Sequence, residues 1–91
     1  MALYLVSYDL DAPGPKDYSK LETRLRALGA ARVLYSQWVF KSSALPPDLE
    51  ADFMKYIDPS TDSFLLVEVA PKQCAWNKLR ISDSEFRALI G

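Results

Sequence analysis

The feature that most constrains this chain is an apolar stretch at residues 2–11, which reads ALYLVSYDLD. The stretch is far too short to cross a membrane, and the Pro-Gly-Pro turn after it prevents a helix or strand from continuing. Its β-branched and aromatic residues therefore predict a central strand that is covered on at least one face. Because side chains alternate along a strand, Leu3, Leu5 and Ser7 share a face with Asp9, and a carboxylate lies at the carboxyl end of the strand.

The amino-acid composition limits the available chemistry. The 91 residues include no histidine and a single cysteine, Cys74. Without histidine the chain lacks the usual general base, the Ser-His-Asp arrangement and the commonest zinc ligand, so catalysis would depend on carboxylates, lysine, tyrosine or a bound cation. A lone cysteine excludes an internal disulfide bond, and the sequence contains neither a signal peptide nor an apolar run long enough for a membrane span. We therefore expect a cytoplasmic protein that does not enter a membrane.

The later segments alternate between helical and strand patterns. Apolar residues recur at three- and four-residue steps after the turn, and Gly29 then stands where a left-handed helix end is expected. The aromatic-rich segment that follows is too long for one typical strand, which favours two strands joined at Ser36-Gln37 over one long, bent strand. The predicted elements are a helix at 17–28, strands at 31–36 and 38–43, a helix that begins at 45–47 and ends at 58–60, and a strand at 62–70.

This order of elements is typical of a ferredoxin-like α+β sandwich, an antiparallel sheet with two helices on one face. We predict one such domain over residues 1–91, with 71–91 as a C-terminal extension. In the extension, an edge strand is expected at 76–81 and a helix at 82–90, capped by Ser82 and Glu85. The sheet face away from the helices would be solvated, bound to a ligand or buried against a second copy. A small chain often gains stability as a dimer, and large aromatic side chains favour that alternative; the predicted interface residues are Tyr8, Trp38 and Phe40.

Two segments resemble the small ferredoxin-like CRISPR-associated protein of the spacer-adaptation complex and the related VapD toxins. The first is LVSYDL at 5–10, similar to a first strand that ends in Tyr-Asp in that family. The second is VLYSQWVF at 33–40, similar to a family segment that ends in Ser-Val-Phe. The strand that begins at Asp62-Ser63 is also similar, and the resemblance extends over residues 2–70 in order and length.

The resemblance implies a two-fold dimer in which the strand-end aspartate of each subunit faces its partner and holds a divalent cation for cleavage of RNA or DNA. This role falls on Asp9, and magnesium or manganese is the expected cation, because hard cations bind carboxylate oxygens and activate water without histidine. A CRISPR adaptation protein is implied as a further partner. The spacing of Asp9 and Asp11 makes Asp11 a second candidate ligand. The alternatives are that Asp11 begins the turn before Pro13 and that Asp9 is an acid where the strand meets water.

Charge is unevenly distributed along a chain whose net charge is -1. Acidic residues concentrate at 48–68, while basic residues surround the first predicted helix. A basic surface could follow a phosphate backbone, although helix faces are also charged simply for solubility. The candidate nucleic-acid-binding residues are Lys16, Lys20, Arg24, Arg32, Ser36 and Lys41.

Two other functions remain open from the sequence. One is a non-catalytic homodimeric scaffold that binds nucleic acid or a protein partner. The other is a module that senses a small ligand, for which the sequence offers neither a glycine-rich loop nor a histidine site.

Overall fold

In a computed structural model, which describes residues 1–9, 18–70 and 73–91, four strands form one antiparallel sheet in the order β2-β3-β1-β4. The strands are β1 (Ala2–Asp9), β2 (Ala31–Leu34), β3 (Gln37–Ser42) and β4 (Ser63–Glu68). The helices are α1 (Tyr18–Ala27), α2 (Pro46–Phe53), which continues into a 3₁₀ turn at Met54–Tyr56, and α3 (Asp83–Ile90). The ferredoxin-like prediction is confirmed. Within the described ranges, no helix combines the length and the apolar character that crossing a bilayer requires.

The main core lies between one face of the sheet and helices α1 and α2. β1 contributes alternate side chains to it, and β3 contributes Trp38 and Phe40, each about 1% exposed. Phe40 contacts Phe53 of α2 edge to face, with ring centroids 6.0 Å apart. Burying each such side chain stabilises the fold by about 1.5–3 kcal/mol. The fully buried members of this core are Val6, Leu21, Leu25, Trp38, Phe40 and Phe53.

The turns end the elements close to where the sequence places them. Gly29 has φ +76°, the left-handed conformation predicted for the end of α1, and the Ala30 amide donates to the Leu25 carbonyl at 3.0 Å. The two-strand interpretation of the next segment is confirmed, with the turn at Tyr35-Ser36, one residue before the predicted position. The register between β2 and β3 shifts between Arg32 and Leu34.

The C-terminal segment differs from the prediction in part. The prediction of an edge strand at 76–81 is wrong, because these residues form no strand. They pack instead against the second face of the sheet, the face opposite α1 and α2. The predicted capped helix is confirmed: the Glu85 amide donates to Ser82 Oγ at 3.1 Å, and the Glu85 carboxylate accepts from the Ser82 amide. Phe86 of α3 packs with Trp76, at 4.7 Å between ring centroids, over the second face.

This segment covers only part of the second face. It packs over Leu3, Val33 and Val39, which are buried with Phe86. Leu65 and Val67 of β4 remain 55% and 37% exposed on the same face. A monomer with α3 in place therefore buries the half of the second face near β2 and β3 and leaves the half near β4 open.

The residues proposed for a dimer interface lie in the wrong place for that role. Tyr8, Trp38 and Phe40 point toward α1 and α2 and are 8%, 1% and 1% exposed. Since the subunit's own helices already cover these side chains, they cannot offer a surface to a second copy. The prediction that these three residues contact a second copy is therefore corrected: they belong to the core of the single chain.

Candidate functional site

Asp9 ends a ladder of side chains on the open half of the second sheet face. β1 and β4 are antiparallel neighbours, and their register pairs Asp9 with Ser63, Ser7 with Leu65, and Leu5 with Val67. Residues two apart on a strand share a face, so these three pairs form one continuous surface. We call the apolar part of it the open strip; it consists of the exposed Leu65 and Val67 and the half-buried Leu5.

The Asp9 side chain is exposed at the rim of this surface. It borders a shallow cavity of about 170 Å³, lined by both strands at the end where β1 stops and β4 begins. No salt bridge joins its carboxylate to a cation anywhere in residues 1–9, 18–70 and 73–91. An exposed carboxylate of this kind is available to a hard cation or to water.

The backbone that carries Asp9 is held firmly on the opposite face. The buried Tyr8 hydroxyl accepts a hydrogen bond from Trp38 Nε1 at 3.1 Å, and the Tyr8 amide donates to the Ser36 carbonyl at 3.2 Å. On the open face, Gln37 Nε2 donates weakly to Ser7 Oγ at 3.4 Å. The end of β1 therefore has a defined position, which a site that places one carboxylate requires.

Other acidic residues near this end of the sheet already have partners. Asp62 precedes the Ser63 that pairs with Asp9, and its Oδ2 accepts from the Asp58 amide at 2.8 Å. Asp58 Oδ1 in turn accepts from the Ser60 hydroxyl at 2.6 Å. Across the described residues, no group of three or more Asp, Glu or Cys side chains is placed to hold a metal ion. Asp11, the second predicted ligand, lies outside the described residues.

Two of the predicted phosphate-binding arginines form ion pairs. Arg24 donates to Asp52 through Nε at 3.0 Å and through the terminal nitrogen at 2.6 Å. These hydrogen bonds raise the pKa of the Arg24 guanidinium above its ordinary value. Arg32 lies 3.4 Å from Glu22 and donates its Nε proton to the Tyr35 carbonyl at 2.8 Å.

The remaining candidates are spread over the molecule. Lys20 is exposed on α1, whereas Lys41 pairs across the sheet with Leu3, at the end away from Asp9. Ser36 lies in the β2–β3 turn, at the same end as Asp9. Lys16 lies outside the described residues. The structure therefore brings Arg32 and Ser36 to the end of the sheet that carries Asp9 and places Lys41 elsewhere.

The same turn carries an aromatic side chain that the sequence analysis did not select. Tyr35 is 76% exposed, and the guanidinium of Arg32 lies 5.1 Å from the centroid of its ring. Arg32 also lies 5.4 Å from the ring of Trp38, and Arg26 lies 5.3 Å from that ring. The alternation of β3 around Trp38 could be predicted from the sequence. The contact between Trp38 and Arg26 of α1 could not, because these residues are far apart in the chain.

No protein-family model matches the sequence. The fold is similar to the crystal structure of hypothetical protein TT1823 from Thermus thermophilus, with a TM-score of 0.68. The match covers 88% of this chain and 95% of the Thermus chain at 23% sequence identity. At that identity the similarity establishes the fold alone.

Proposed function

We propose that this chain is a cytoplasmic, homodimeric, metal-dependent endonuclease of the kind its sequence resembles, the CRISPR adaptation nuclease and VapD. In this proposal Asp9 of each of two subunits contributes to one site that cleaves RNA or DNA phosphodiesters. A CRISPR adaptation protein is the expected further partner.

The observation that carries the proposal is the continuity of Asp9 with the open strip. Leu65 and Val67 are exposed on β4, which is an edge strand of the sheet formed by the described residues, and a second copy is one means of covering such a surface. A two-fold contact there repeats every residue of the surface, and in this proposal the axis passes near the Asp9–Ser63 end of the strip, which brings the second Asp9 beside the first. The dimer in this proposal is built from Leu5, Leu65 and Val67 rather than from the buried aromatic residues.

The donor set at the site fits a hard cation only in a dimer. One exposed carboxylate binds magnesium or manganese weakly, whereas two carboxylates and solvent provide a ligand set of the oxygen type these ions prefer. When bound, the cation supplies an activated water and stabilises charge on the phosphodiester. The chain's own contribution is the fixed position of Asp9, held through the Tyr8–Trp38 hydrogen bond, together with the exposed Ser63 hydroxyl as a donor to a phosphate oxygen.

The proposal is tested by cleavage of labelled single- and double-stranded RNA and DNA with magnesium, manganese or chelator. Asp9→Asn should abolish cleavage and leave the dimer intact, because the amide keeps the size of the side chain and loses its charge. Glu50→Gln is the matched control, since Glu50 is an exposed acid of α2 on the other side of the sheet. Cleavage that survives Asp9→Asn, or that the control reduces equally, would overturn the proposal.

The dimer is tested separately by light scattering after size-exclusion chromatography. Leu65→Asp should convert the dimer to a monomer, because it places a charge on the open strip. Leu45→Asp is the control, at a side chain that is 66% exposed next to α2. A dimer that Leu65→Asp leaves unchanged would remove the open strip from the interface.

The open strip also supports a second candidate, the non-catalytic homodimeric scaffold, because covering it does not require chemistry at Asp9. This function predicts salt-sensitive nucleic-acid binding or protein binding without cleavage under any metal condition. Cleavage that depends on Asp9 would eliminate it.

A further inference from the structure

The β2–β3 turn exposes the ring of Tyr35, and the guanidinium of Arg32 contacts that ring. Tyr35 is 76% exposed, yet its ring is not isolated, because the Arg32 guanidinium lies 5.1 Å from the ring centroid. Arg32 is held there by its Nε donation to the Tyr35 carbonyl at 2.8 Å and by contact with the buried Trp38 ring. The arginine therefore contacts the Tyr35 ring and limits its movement, while most of the side chain remains open to solvent.

The charge beside this ring is positive. Two guanidinium groups, those of Arg26 and Arg32, share one carboxylate, Glu22, at 3.7 and 3.4 Å. The Arg26 side chain is 60% exposed. Arg26, Arg32 and Glu22 together therefore carry a net charge of +1 beside the exposed Tyr35 ring.

From this arrangement we infer that Tyr35 is a stacking site for an unpaired nucleobase, with Arg26 and Arg32 contacting the adjacent phosphate of a single-stranded nucleic acid. Every base has a π face that stacks on an aromatic ring, and arginine adds a charge-assisted contact to phosphate. Bases within a duplex are already stacked on one another and do not offer that face. The ligand class is therefore single-stranded RNA or DNA.

The stacking site lies at the end of the sheet that carries Asp9. Ser36, next to Tyr35, accepts a hydrogen bond from the amide of Tyr8, next to Asp9. β2 and β1 are two strands apart in the sheet, about 10 Å at the usual strand spacing. Arg32 pairs with Trp38 and lies on the α1 side of the sheet, whereas Asp9 lies on the second face, so a single strand that contacts both sites must pass around this end of the sheet. To the extent that one strand contacts both, the inference rests on the proposed nuclease function and specifies its substrate.

The test measures binding rather than cleavage. Fluorescence anisotropy is followed with labelled single strands of about twelve nucleotides, oligo-U and oligo-dT, and with a duplex of equal length. Asp9→Asn protein is used without added metal, at about 50 mM salt, so that the probe is not cleaved and phosphate contacts are not screened. Tyr35→Ala, Tyr35→Phe and Arg26→Gln are compared, with Leu45→Ala as the control for removal of an exposed apolar side chain and Lys20→Gln as the control for loss of one positive charge.

Tyr35→Ala should weaken single-strand binding by about five- to a hundredfold, while Tyr35→Phe, which keeps the ring, should bind as before. Arg26→Gln should weaken binding and lower the salt dependence by about one phosphate contact, more than Lys20→Gln does. If the parent protein binds only one of the two strands and Tyr35→Ala weakens that binding, the result supports the site and shows which of the two strands it prefers. Circular dichroism confirms that each variant is folded, which is expected because Tyr35 is mostly exposed.

Three results would overturn the inference. They are unchanged affinity in Tyr35→Ala, no single-strand binding by the parent protein, and equal effects of Tyr35→Ala on duplex and single strand. Tyr35-dependent binding by a protein whose unmodified form cleaves nothing would leave the stacking site standing and remove the nuclease proposal, so the two can fail independently.

Discussion

Phe86→Ala tests whether the C-terminal segment is an integral part of the fold. Phe86 is 8% exposed, packs against Trp76 and covers Leu3, Val33 and Val39. Removing a buried phenylalanine ring costs about 3–5 kcal/mol. We expect the lower end, about 3 kcal/mol, because α3 lies on the surface and its last turn can shift into the space left behind.

Urea denaturation followed by circular dichroism is the assay. At about 4–8 °C per kcal/mol for a domain of this size, the same loss lowers the melting temperature by roughly 12–24 °C. Ala88→Gln is the control, since Ala88 is exposed on the same helix and glutamine is also a good helix former. The reasoning is refuted if Phe86→Ala costs less than about 1 kcal/mol, because α3 would then unfold locally without affecting the sheet.

Two further substitutions test contacts that support the site and the C-terminal segment. Tyr8→Phe leaves the buried Trp38 Nε1 proton without its acceptor and should cost about 1–3 kcal/mol, which chemical denaturation measures together with a change in tryptophan emission; a neutral effect would contradict the hydrogen bond. Ser82→Ala removes the cap of α3 and should cost about 1 kcal/mol, with hydrogen exchange accelerated in α3 but not in β1. Protection that is unchanged in α3 would show that the cap contributes nothing.

The sheet and the helices beneath it could be predicted because local patterns agree with the fold. The apolar alternation of β1, the Gly29 helix end and the prolines at the start of α2 each depend on neighbours in sequence. The Ser82 cap was predictable for the same reason, since both of its partners lie within three residues.

The choice of sheet face could not be predicted from the same patterns. β1 has apolar residues on both faces, and alternation in β3 groups Trp38 with Phe40 without showing whether helices or a second copy cover them. The register settles it, because Phe40 pairs with Tyr4 and Trp38 with Val6, on the face beneath α1 and α2. The register joins residues that are far apart in the chain, so local patterns do not show it. For that reason Tyr8, Trp38 and Phe40 were predicted to contact a second copy.

The sequence predicted Asp9, Arg32 and Ser36, which lie at the same end of the sheet, but neither the open strip nor the contact between Tyr35 and Arg32. The exposure of Asp9 follows from its position at the end of an apolar strand. The open strip depends on where α3 stops covering the sheet, and the arrangement of Arg26 and Arg32 near Tyr35 depends on contacts between α1 and the β2–β3 turn; no short motif records either.

Mixed dimers give the most direct test of the central claim, that two Asp9 carboxylates form one catalytic site. Wild-type and Asp9→Asn chains are unfolded together, refolded at varying ratios and assayed for metal-dependent cleavage at constant total protein. If each site needs both carboxylates, activity falls with the square of the wild-type fraction, to about one quarter in an equal mixture. Activity of about one half in the equal mixture, as expected for an independent site in each subunit, would contradict the account, and so would about three quarters, as expected if one Asp9 suffices in a shared site.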